Sequence, residues 1–311
     1  MDYKSYQPGT KKLIRHLEHL QKIRDGIPVG PIHISVWPNS QCNFSCSWCC
    51  GRNIVNKGGE LSLERYIKMI DILQKYSCKA VEFSGSVGEP LLWKPIENAV
   101  KYNYEKGLKT SLITNGMFLK NVSTETLQQL NWIRVSIQNL AHMNIIDFEK
   151  LSEDVRISAS HIVATEQNLS GLNSLWKSAK KRNIIIRVAV ARPCTEEWEA
   201  RVEEEVLKLG EPLFFSKKER GSPFGCFMPW IRGAVNWEGN FLPCPSIQLN
   251  IENEGYIPEE YVLCNIDNLE EWILNNPPKD LGYRCKMCNC GKENNDFVYN
   301  LLQETEDVDF V

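Results

Sequence analysis

The amino-acid sequence predicts an α/β protein with a parallel sheet and a small cysteine-rich C-terminal region. Between about residues 32 and 212, short apolar or β-branched segments alternate six times with helical patterns. No hairpin signal separates consecutive strand segments, so we expect parallel pairing through right-handed crossovers. Six such units are too few for a closed eight-stranded barrel. After residue 212, Pro, Gly, Trp and Cys become frequent and regular periodicity fades.

The predicted elements follow the chain in order. An opening amphipathic helix is indicated by Leu13, Leu17, Leu20 and Ile23 at helical spacing, and it ends at Gly26. The strands are expected to be short because their segments are short and rich in β-branched residues. They are predicted at Ile32–Trp37, Ala80–Ser84, Thr110–Thr114, Trp132–Ile137, Ile157–Val163 and Ile184–Ala191.

Helix boundaries and domain limits are predicted from capping residues and composition. Ser62 is a predicted N-cap for a helix after the first strand, and Gly210 ends another helix that begins near Trp198. We expect a helical extension over residues 1–30, a core over 31–212 and a cysteine-rich domain over 213–291. Residues 292–311 are expected to form a frayed acidic tail.

Charge and composition exclude several classes of partner. The formal net charge is −3 and the isoelectric point is about 6.0, so no electrostatic footprint for nucleic acid or an anionic membrane is present. The sequence has neither a membrane-spanning apolar stretch nor a signal peptide, and we therefore expect a cytoplasmic protein. In that reducing compartment the twelve cysteines favour metal or cluster binding over disulfides.

A cysteine motif follows the first predicted strand. Cys42, Cys46 and Cys49 have the spacing of three ligands that hold three corners of a cubane iron–sulfur cluster and leave the fourth iron open. The same three cysteines could be ligands of a structural zinc. Cys50 directly follows the third cysteine and is interpreted as a bystander, because adjacent residues rarely direct both sulfurs to one small cluster.

With Trp48 as its aromatic position, this motif resembles the CxxxCxΦC signature of the radical S-adenosylmethionine (SAM) superfamily. The resemblance implies a partial (β/α)6 barrel. It also implies a [4Fe–4S] cluster held by the three cysteines, with SAM bound at the open iron and Trp48 against the adenine.

Further cofactor-binding residues are predicted at the ends of the next strands. Ser86, Gly88 and Glu89 belong to a turn that resembles the GGEP motif of radical SAM proteins, which binds the methionine amino group, with valine in place of the first glycine. Asn115 and Ser136 can contact SAM, or they can cap loops. The residue two positions after the latter is glutamine, where the family commonly has aspartate.

A second metal site is predicted in the C-terminal region. Cys226, Cys244, Cys285 and Cys288 supply four thiolates, a set that suits either zinc or a fully ligated [4Fe–4S] cluster. The region resembles the SPASM and twitch domains of radical SAM enzymes. Only six cysteines follow residue 212, which favours the shorter twitch form with one auxiliary [4Fe–4S] cluster. Cys290 can replace Cys288 in this set.

Three residues are candidates for direct roles in catalysis. Cys264 and Cys194 can donate a hydrogen atom to a substrate radical, although buried inert cysteine is the commoner role. Arg192 can orient an anionic substrate, or it can form an ion pair with a neighbouring acid.

The resemblance implies reductive cleavage of SAM and hydrogen abstraction from an unactivated C–H bond. A flavodoxin- or ferredoxin-type electron donor is the expected partner. We expect a polar small-molecule substrate of the sugar or aminocyclitol kind, with net dehydrogenation or epimerisation. Modification of a ribosomally made peptide is the alternative, and it is less favoured because only residues 1–30 precede the core. A non-catalytic zinc or electron-transfer protein is the alternative from another class.

Overall fold

The computed structural model describes residues 10–56, 58–217, 220–247, 259–282, 285, 288 and 291–303. Within these residues, ten strands form a single sheet. The strands are β1 (His33–Val36), β2 (Ala80–Phe83), β3 (Lys109–Thr114), β4 (Trp132–Ile137), β5 (Ile157–Val163), β6 (Ile186–Val190), β7 (Leu213–Phe215), β8 (Arg232–Val235), β9 (Asn240–Leu242) and β10 (Cys264–Asn265).

Helices separate consecutive parallel strands. In the described part of the chain the α-helices are α1 (Thr10–Leu13), α2 (Leu17–Arg24), α3 (Leu63–Lys75), α4 (Ile96–Glu105), α5 (Thr124–Gln129), α6 (Leu140–Ile145), α7 (Phe148–Asp154), α8 (Glu166–Ser170), α9 (Leu172–Arg182), α10 (Glu196–Leu209), α11 (Met228–Ile231), α12 (Leu269–Asn275) and α13 (Lys292–Leu302). A 3₁₀ segment, Ile14–His16, joins the first two helices.

The sheet order is β10-β9-β8-β1-β2-β3-β4-β5-β6-β7. Strands β1 to β7 pair in parallel in chain order, and β8 pairs in parallel with the free side of β1. In the described part of the chain, the antiparallel pairs are the two that contain β9, with β8 and with β10. The first and last strands of this order do not pair, so the sheet stays open, and the prediction of a partial parallel barrel is confirmed.

Helix α3 shows how the sequence builds the outer layer. The Ser62 side chain accepts a hydrogen bond from the Arg65 N–H over 3.3 Å and caps the helix, as predicted. Tyr66, Ile70 and Leu73 recur at helical spacing and are completely buried in the main apolar cluster. Each such side chain contributes about 1.5–3 kcal/mol of hydrophobic stabilisation.

The C-terminal region differs from its prediction in two ways. The parallel sheet continues past residue 212, because β7 pairs with β6. Residues Lys292–Leu302, placed in a frayed tail by the sequence, form α13 instead, and its Val298 is fully buried. That side chain belongs to a second apolar cluster that also contains Leu20 and Trp230, so the N-terminal helices pack on the C-terminal region. Among the described helices, none combines the length and the apolar character that a membrane crossing requires.

Candidate functional site

The first cysteine set lies on the loop that follows β1. Cys42, Cys46 and Cys49 are all partly exposed. The Cys49 N–H donates to the Cys46 carbonyl oxygen over 3.1 Å and closes a turn between the two residues. The Cys42 N–H donates to Asn56 Oδ1 over 2.9 Å, which ties the start of the loop to its end. Local backbone bonds therefore give the cysteine loop its shape.

The three thiols of this loop affect one another. Burial and the neighbouring Cys49 and Cys42 raise the pKa of Cys46 to about 11. Burial also raises the pKa of the other two thiols. Gln138 Nε2 donates to the Cys46 sulfur over 3.0 Å, and the Phe44 N–H donates to the Cys42 sulfur over 3.4 Å. A bound cationic centre stabilises thiolates that otherwise repel one another.

A turn after β2 holds the cysteine loop against the sheet. Gly88 has φ +83°, and a Cβ there would lie 2.4 Å from the Asn39 carbonyl oxygen, so this position requires glycine. The next residue, Glu89, is 2 % exposed. Its carboxylate accepts hydrogen bonds from Thr114 Oγ1 at 2.5 Å and from the Asn115 N–H at 2.8 Å. Burial raises the pKa of Glu89, and these donors partly offset that effect.

The upper cavity, as we name it, has a volume of about 350 Å³ at the carboxyl ends of the parallel strands. Its wall includes all three cysteines of the loop. From the predicted cofactor-binding set it contains Trp48, Gly88, Glu89, Asn115 and Ser136. The Asn115 side chain donates to Asn43 Oδ1 over 2.7 Å, which connects the end of β3 to the cysteine loop.

Ser86, the remaining predicted cofactor residue, lies elsewhere. It lines a second cavity of about 550 Å³, the lower cavity, which extends along the barrel interior towards the amino ends of the strands. Ile113 lines both cavities and marks the level at which they meet. Cys50 also lines the lower cavity, and its thiol donates to the Ser86 carbonyl oxygen over 3.4 Å.

The second cysteine set is assembled from distant segments. Cys226 precedes α11, Cys244 follows β9, and Cys285 and Cys288 lie before α13. Burial and the nearby Cys285 and Cys288 raise the pKa of Cys226 to about 12. The pKa of Cys244 is also raised well above its usual value, by burial and by the other three cysteines. The four predicted ligands thus lie near one another, whereas Cys290 falls outside the described residues.

The three candidates for direct roles in catalysis lie apart from both cavities. Neither cavity has Cys264, Cys194 or Arg192 among its described lining residues. Cys264 packs against the main apolar cluster, and burial raises its pKa to about 12. Arg192 forms an ion pair with Glu199 at 2.6 Å and donates to the Cys194 sulfur at 2.6 Å.

Sequence reasoning missed two groups that the fold brings into the cavities. Gln138 donates a hydrogen bond to Cys46, one of the predicted cluster ligands. Its position directly after β4, where site residues of parallel sheets occur, could have indicated this contact. Cys50, interpreted as a bystander, is the unassigned thiol that lines the lower cavity. No local pattern distinguishes it from an inert cysteine, because its environment depends on the turn after β2.

The first cysteine set fits a cubane cluster by its donor chemistry and its surroundings. Its three thiols line a cavity of about 350 Å³, and three cysteine thiolates can hold three irons of a cubane. In the described part of the chain, no three His, Cys, Asp or Glu side chains lie close enough together to hold a single metal ion. The thiolates of a cubane bind different irons and therefore lie farther apart than the ligands of one ion.

Comparison with known proteins finds a family match over the part of the chain that contains the first cysteine set. Residues 38–152 match the radical SAM superfamily. Fe-coproporphyrin III synthase of Methanosarcina barkeri is 30 % identical over 143 residues, 45 % of this chain and 34 % of that protein. An S-adenosylmethionine-dependent nucleotide dehydratase of Selenomonas ruminantium is 27 % identical over 177 residues, 56 % of this chain and 59 % of that protein. The chain thus spans less than two thirds of either relative.

Solved structures share the fold. Streptococcus suis SuiB bound to its precursor peptide SuiA superposes with a TM-score of 0.58 at 14 % identity, over 84 % of this chain and 71 % of that chain. The structure of anSMEcpe with bound AdoMet superposes with a TM-score of 0.55 at 15 % identity, over 80 % of this chain and 78 % of that chain. Residues 38–152 are thus similar to the radical SAM superfamily, whose members use a [4Fe–4S] cluster and SAM, and the fold resembles those of the two solved structures.

Proposed function

We propose that this chain is a radical SAM enzyme that binds a [4Fe–4S] cluster through Cys42, Cys46 and Cys49 and SAM in the upper cavity. The observation that carries the proposal is the convergence of these three cysteines with five of the predicted cofactor-binding residues on one cavity. When bound, the cluster supplies the electron that cleaves SAM to methionine and a 5′-deoxyadenosyl radical, which abstracts hydrogen from a substrate C–H bond.

The chain's own residues position these groups. Glu89 fixes the turn after β2 against the end of β3, so that the backbone of both faces the cavity. Asn115 and Ser136 offer polar side chains along the wall, and Trp48 offers an aromatic face. Gln138 donates to Cys46, and a donor to a ligand sulfur tunes the cluster that the sulfur holds.

A second [4Fe–4S] cluster, held by Cys226, Cys244, Cys285 and Cys288, completes the proposal. Support comes from their proximity and from the burial of Cys244 and Cys288, because four thiolates can ligate a cubane fully and need no open position. A fully ligated cluster in an apolar surrounding suits electron transfer, and a flavodoxin- or ferredoxin-type donor is the proposed source of electrons.

The proposed substrate is a polar small molecule. The lower cavity is part of the barrel interior, and its size is that of a typical small-molecule site. The Selenomonas relative's name also describes action on a nucleotide. A ribosomally made peptide is the alternative, and the likeness to SuiB shows the fold alone.

The proposed outcome is dehydrogenation or epimerisation. In dehydrogenation the substrate radical loses a proton and passes its electron to the second cluster. In epimerisation a thiol returns a hydrogen atom to the radical, and the resulting thiyl radical is restored by a proton and an electron from the proposed flavodoxin- or ferredoxin-type donor. Such a thiol must face the substrate, and Cys50 lines the lower cavity whereas Cys264 and Cys194 do not. A turnover in D2O distinguishes the outcomes, because a thiol donor leaves one carbon-bound deuterium in the product and dehydrogenation leaves none. Loss of that label in Cys50→Ala, with retention in Cys264→Ala, would assign epimerisation to Cys50.

The decisive experiment measures iron and SAM cleavage in anaerobically reconstituted protein. We expect about eight irons per chain, four for each cysteine set. Replacing Cys42, Cys46 and Cys49 together by Ala should halve the iron and abolish 5′-deoxyadenosine formation with dithionite, because the ligands of the cleaving cluster are lost.

Cys78→Ala is the matched control. Cys78 is buried in the main apolar cluster, away from both cysteine sets, so this variant should keep its iron and its SAM cleavage. Zinc without iron at either set, or SAM cleavage that survives the triple substitution, would refute the proposal.

A further inference from the structure

The lower cavity lies inside the barrel, next to the upper cavity. It lies beneath the upper cavity, and its walls come from inward-facing residues of the parallel strands. Lys12, Leu13 and His16, from the first helical segments, line its far end. Ser158 and Ser160 on β5 line the lower and the upper cavity respectively, so the two spaces are neighbours within one barrel.

The wall of the lower cavity carries a large excess of positive charge. Its described lining contains one carboxylate, Glu82, which forms an ion pair with Arg232 at 2.8 Å. Against this single acid stand seven cationic side chains. They are Lys12, Lys79, Lys109, Arg134, Arg156, Arg187 and Arg232.

Strand register brings the arginines together. Arg134 on β4 pairs with Ser158 on β5, and Arg187 on β6 pairs with Ser160 on β5. Arg232 lies on β8, which pairs with β1 on the edge of that strand away from β2. Burial, the charge of Arg187 and the charge of Arg232 lower the pKa of Arg134 to about 9, although Glu82 acts in the opposite direction.

A further anion bound against this wall would be stabilised by it. Like charges repel each other more strongly where the dielectric constant is low than in water, so an anion placed between these cations offsets their repulsion. Guanidinium groups bind phosphate through two parallel hydrogen bonds, and lysine adds a point charge. Ser111, Ser158 and Asn131 in the same wall provide neutral partners for hydroxyl groups.

We propose that the lower cavity binds a phosphorylated small molecule, which is the substrate of the proposed radical SAM reaction. The inference rests on the proposed function, since that function supplies the reaction in the adjoining upper cavity. Phosphate groups occupy the arginine-rich wall, and the carbon to be activated lies towards Ile113, where the two cavities meet.

Calorimetry on the anaerobically reconstituted full chain with SAM tests this inference. The probes are inorganic pyrophosphate, glucose 6-phosphate and UTP, with glucose and uridine as uncharged counterparts. We expect binding of phosphorylated probes only, weakened about tenfold or more when salt rises from about 0.05 to 0.5 M. Tighter binding of glucose 6-phosphate assigns a sugar phosphate, and tighter binding of UTP assigns a nucleotide. Equal binding of the uncharged counterparts would overturn the proposal.

Two substitutions locate the site. Arg134→Gln and Arg187→Gln should each weaken pyrophosphate binding about tenfold or more, because each removes a charged donor. Arg201→Gln is the matched control, since Arg201 is exposed and pairs with Glu166 on the outer surface, and it should change binding less than twofold. Equal affinities in all three variants would overturn the assignment.

A melting experiment separates binding from a structural role. Without a ligand, Arg134→Gln should melt at or above the wild-type temperature, because burial of the Arg134 charge and repulsion from Arg187 and Arg232 outweigh the attraction of Glu82. Pyrophosphate should raise the melting temperature of the wild type and not that of the variant. A lower melting temperature without ligand, combined with unchanged pyrophosphate affinity, would make Arg134 a structural residue and overturn its part in the site.

The wild-type protein also distinguishes failure of this inference from failure of the proposed function. If it forms 5′-deoxyadenosine and binds none of the phosphorylated probes, the substrate assignment is wrong and the radical SAM proposal stands. If it forms no 5′-deoxyadenosine, the proposed function itself fails.

Discussion

The two cysteine sets differ in how the chain assembles them. Cys42, Cys46 and Cys49 come from one loop, are partly exposed and face a cavity of about 350 Å³. The second set joins residues as distant as Cys226 and Cys288, and Cys244 belongs to an apolar cluster. The first set therefore lies beside space for a ligand, and the second set is part of the packed interior.

This difference in assembly predicts different roles for the two cysteine sets. The apolar cluster around the second set also contains Leu20 of α2 and Val298 of α13, so the second set lies where the two ends of the described chain meet. The first set is instead attached by single hydrogen bonds such as the one from Cys42 to Asn56. We therefore expect the first set to control activity and the second to control stability.

The largest expected effect on stability follows from Cys226→Ser combined with Cys285→Ser. These changes remove half the ligands of a buried site and should halve the iron content. The melting temperature should fall by about 5 °C or more, because metal binding at a buried site contributes to folding. SAM cleavage, measured as 5′-deoxyadenosine, should persist. Replacement of Cys42, Cys46 and Cys49 by Ala is the counterpart, and an equal fall in its melting temperature would contradict the comparison.

Much of the fold could be predicted because its strands are locally encoded. Trp132–Ile137 and Ile157–Val163 agree with the structure at both ends, since each is a β-branched segment between polar turns. The pairing of β8 with β1 could not be predicted in the same way, because it joins Arg232 to His33 across most of the chain.

The candidate site divides along the same line. The cysteine loop is one continuous segment, and so is the turn at Glu89. The sequence pattern within each segment was therefore sufficient to place it at the end of a strand. The cationic wall is not contiguous, and Arg134, Arg187 and Arg232 become neighbours only through strand register. A signal was nevertheless present, because a strand of a parallel sheet is expected to be apolar throughout and these strands each contain an arginine.

A smaller effect, on SAM cleavage and not on stability, is expected from Gln138→Ala. This variant tests whether a neighbour of the first cysteine set, and not only the cysteines themselves, controls activity. Gln138 Nε2 donates to the Cys46 sulfur over 3.0 Å, and the variant removes that donor without changing a cysteine. Loss of an outer partner of a metal ligand typically reduces activity about tenfold or more, so 5′-deoxyadenosine formation should fall by about that factor with iron content unchanged.

Gln128→Ala is the control for this variant. Gln128 donates to Asp154 on the exposed surface, and its loss should leave SAM cleavage as it was. If Gln138→Ala cleaved SAM at the wild-type rate, the hydrogen bond to Cys46 would have no part in the reaction.

The smallest expected effect is a dependence of stability on pH that arises from His19, near the second cysteine set. His19 on α2 donates from Nε2 to the Trp230 carbonyl oxygen over 2.9 Å and is 7 % exposed. Burial, together with the nearby charges of His16, Lys22 and Lys79, lowers the pKa of His19 to about 4. The unfolded chain has the ordinary histidine pKa and therefore binds more protons than the folded chain between these two values.

Stability contributed by neutral His19 is thus present above about pH 6.5 and is lost as the pH falls towards 4. At pH 5.5 the loss is about 1 kcal/mol, which lowers the melting temperature of a chain of this size by a few degrees relative to pH 7.5. His19→Gln keeps a donor for the Trp230 carbonyl and cannot titrate, so the difference in melting temperature between the two pH values should be smaller in this variant. A melting difference in His19→Gln as large as that of the wild type would show that acid acts on another region of the molecule.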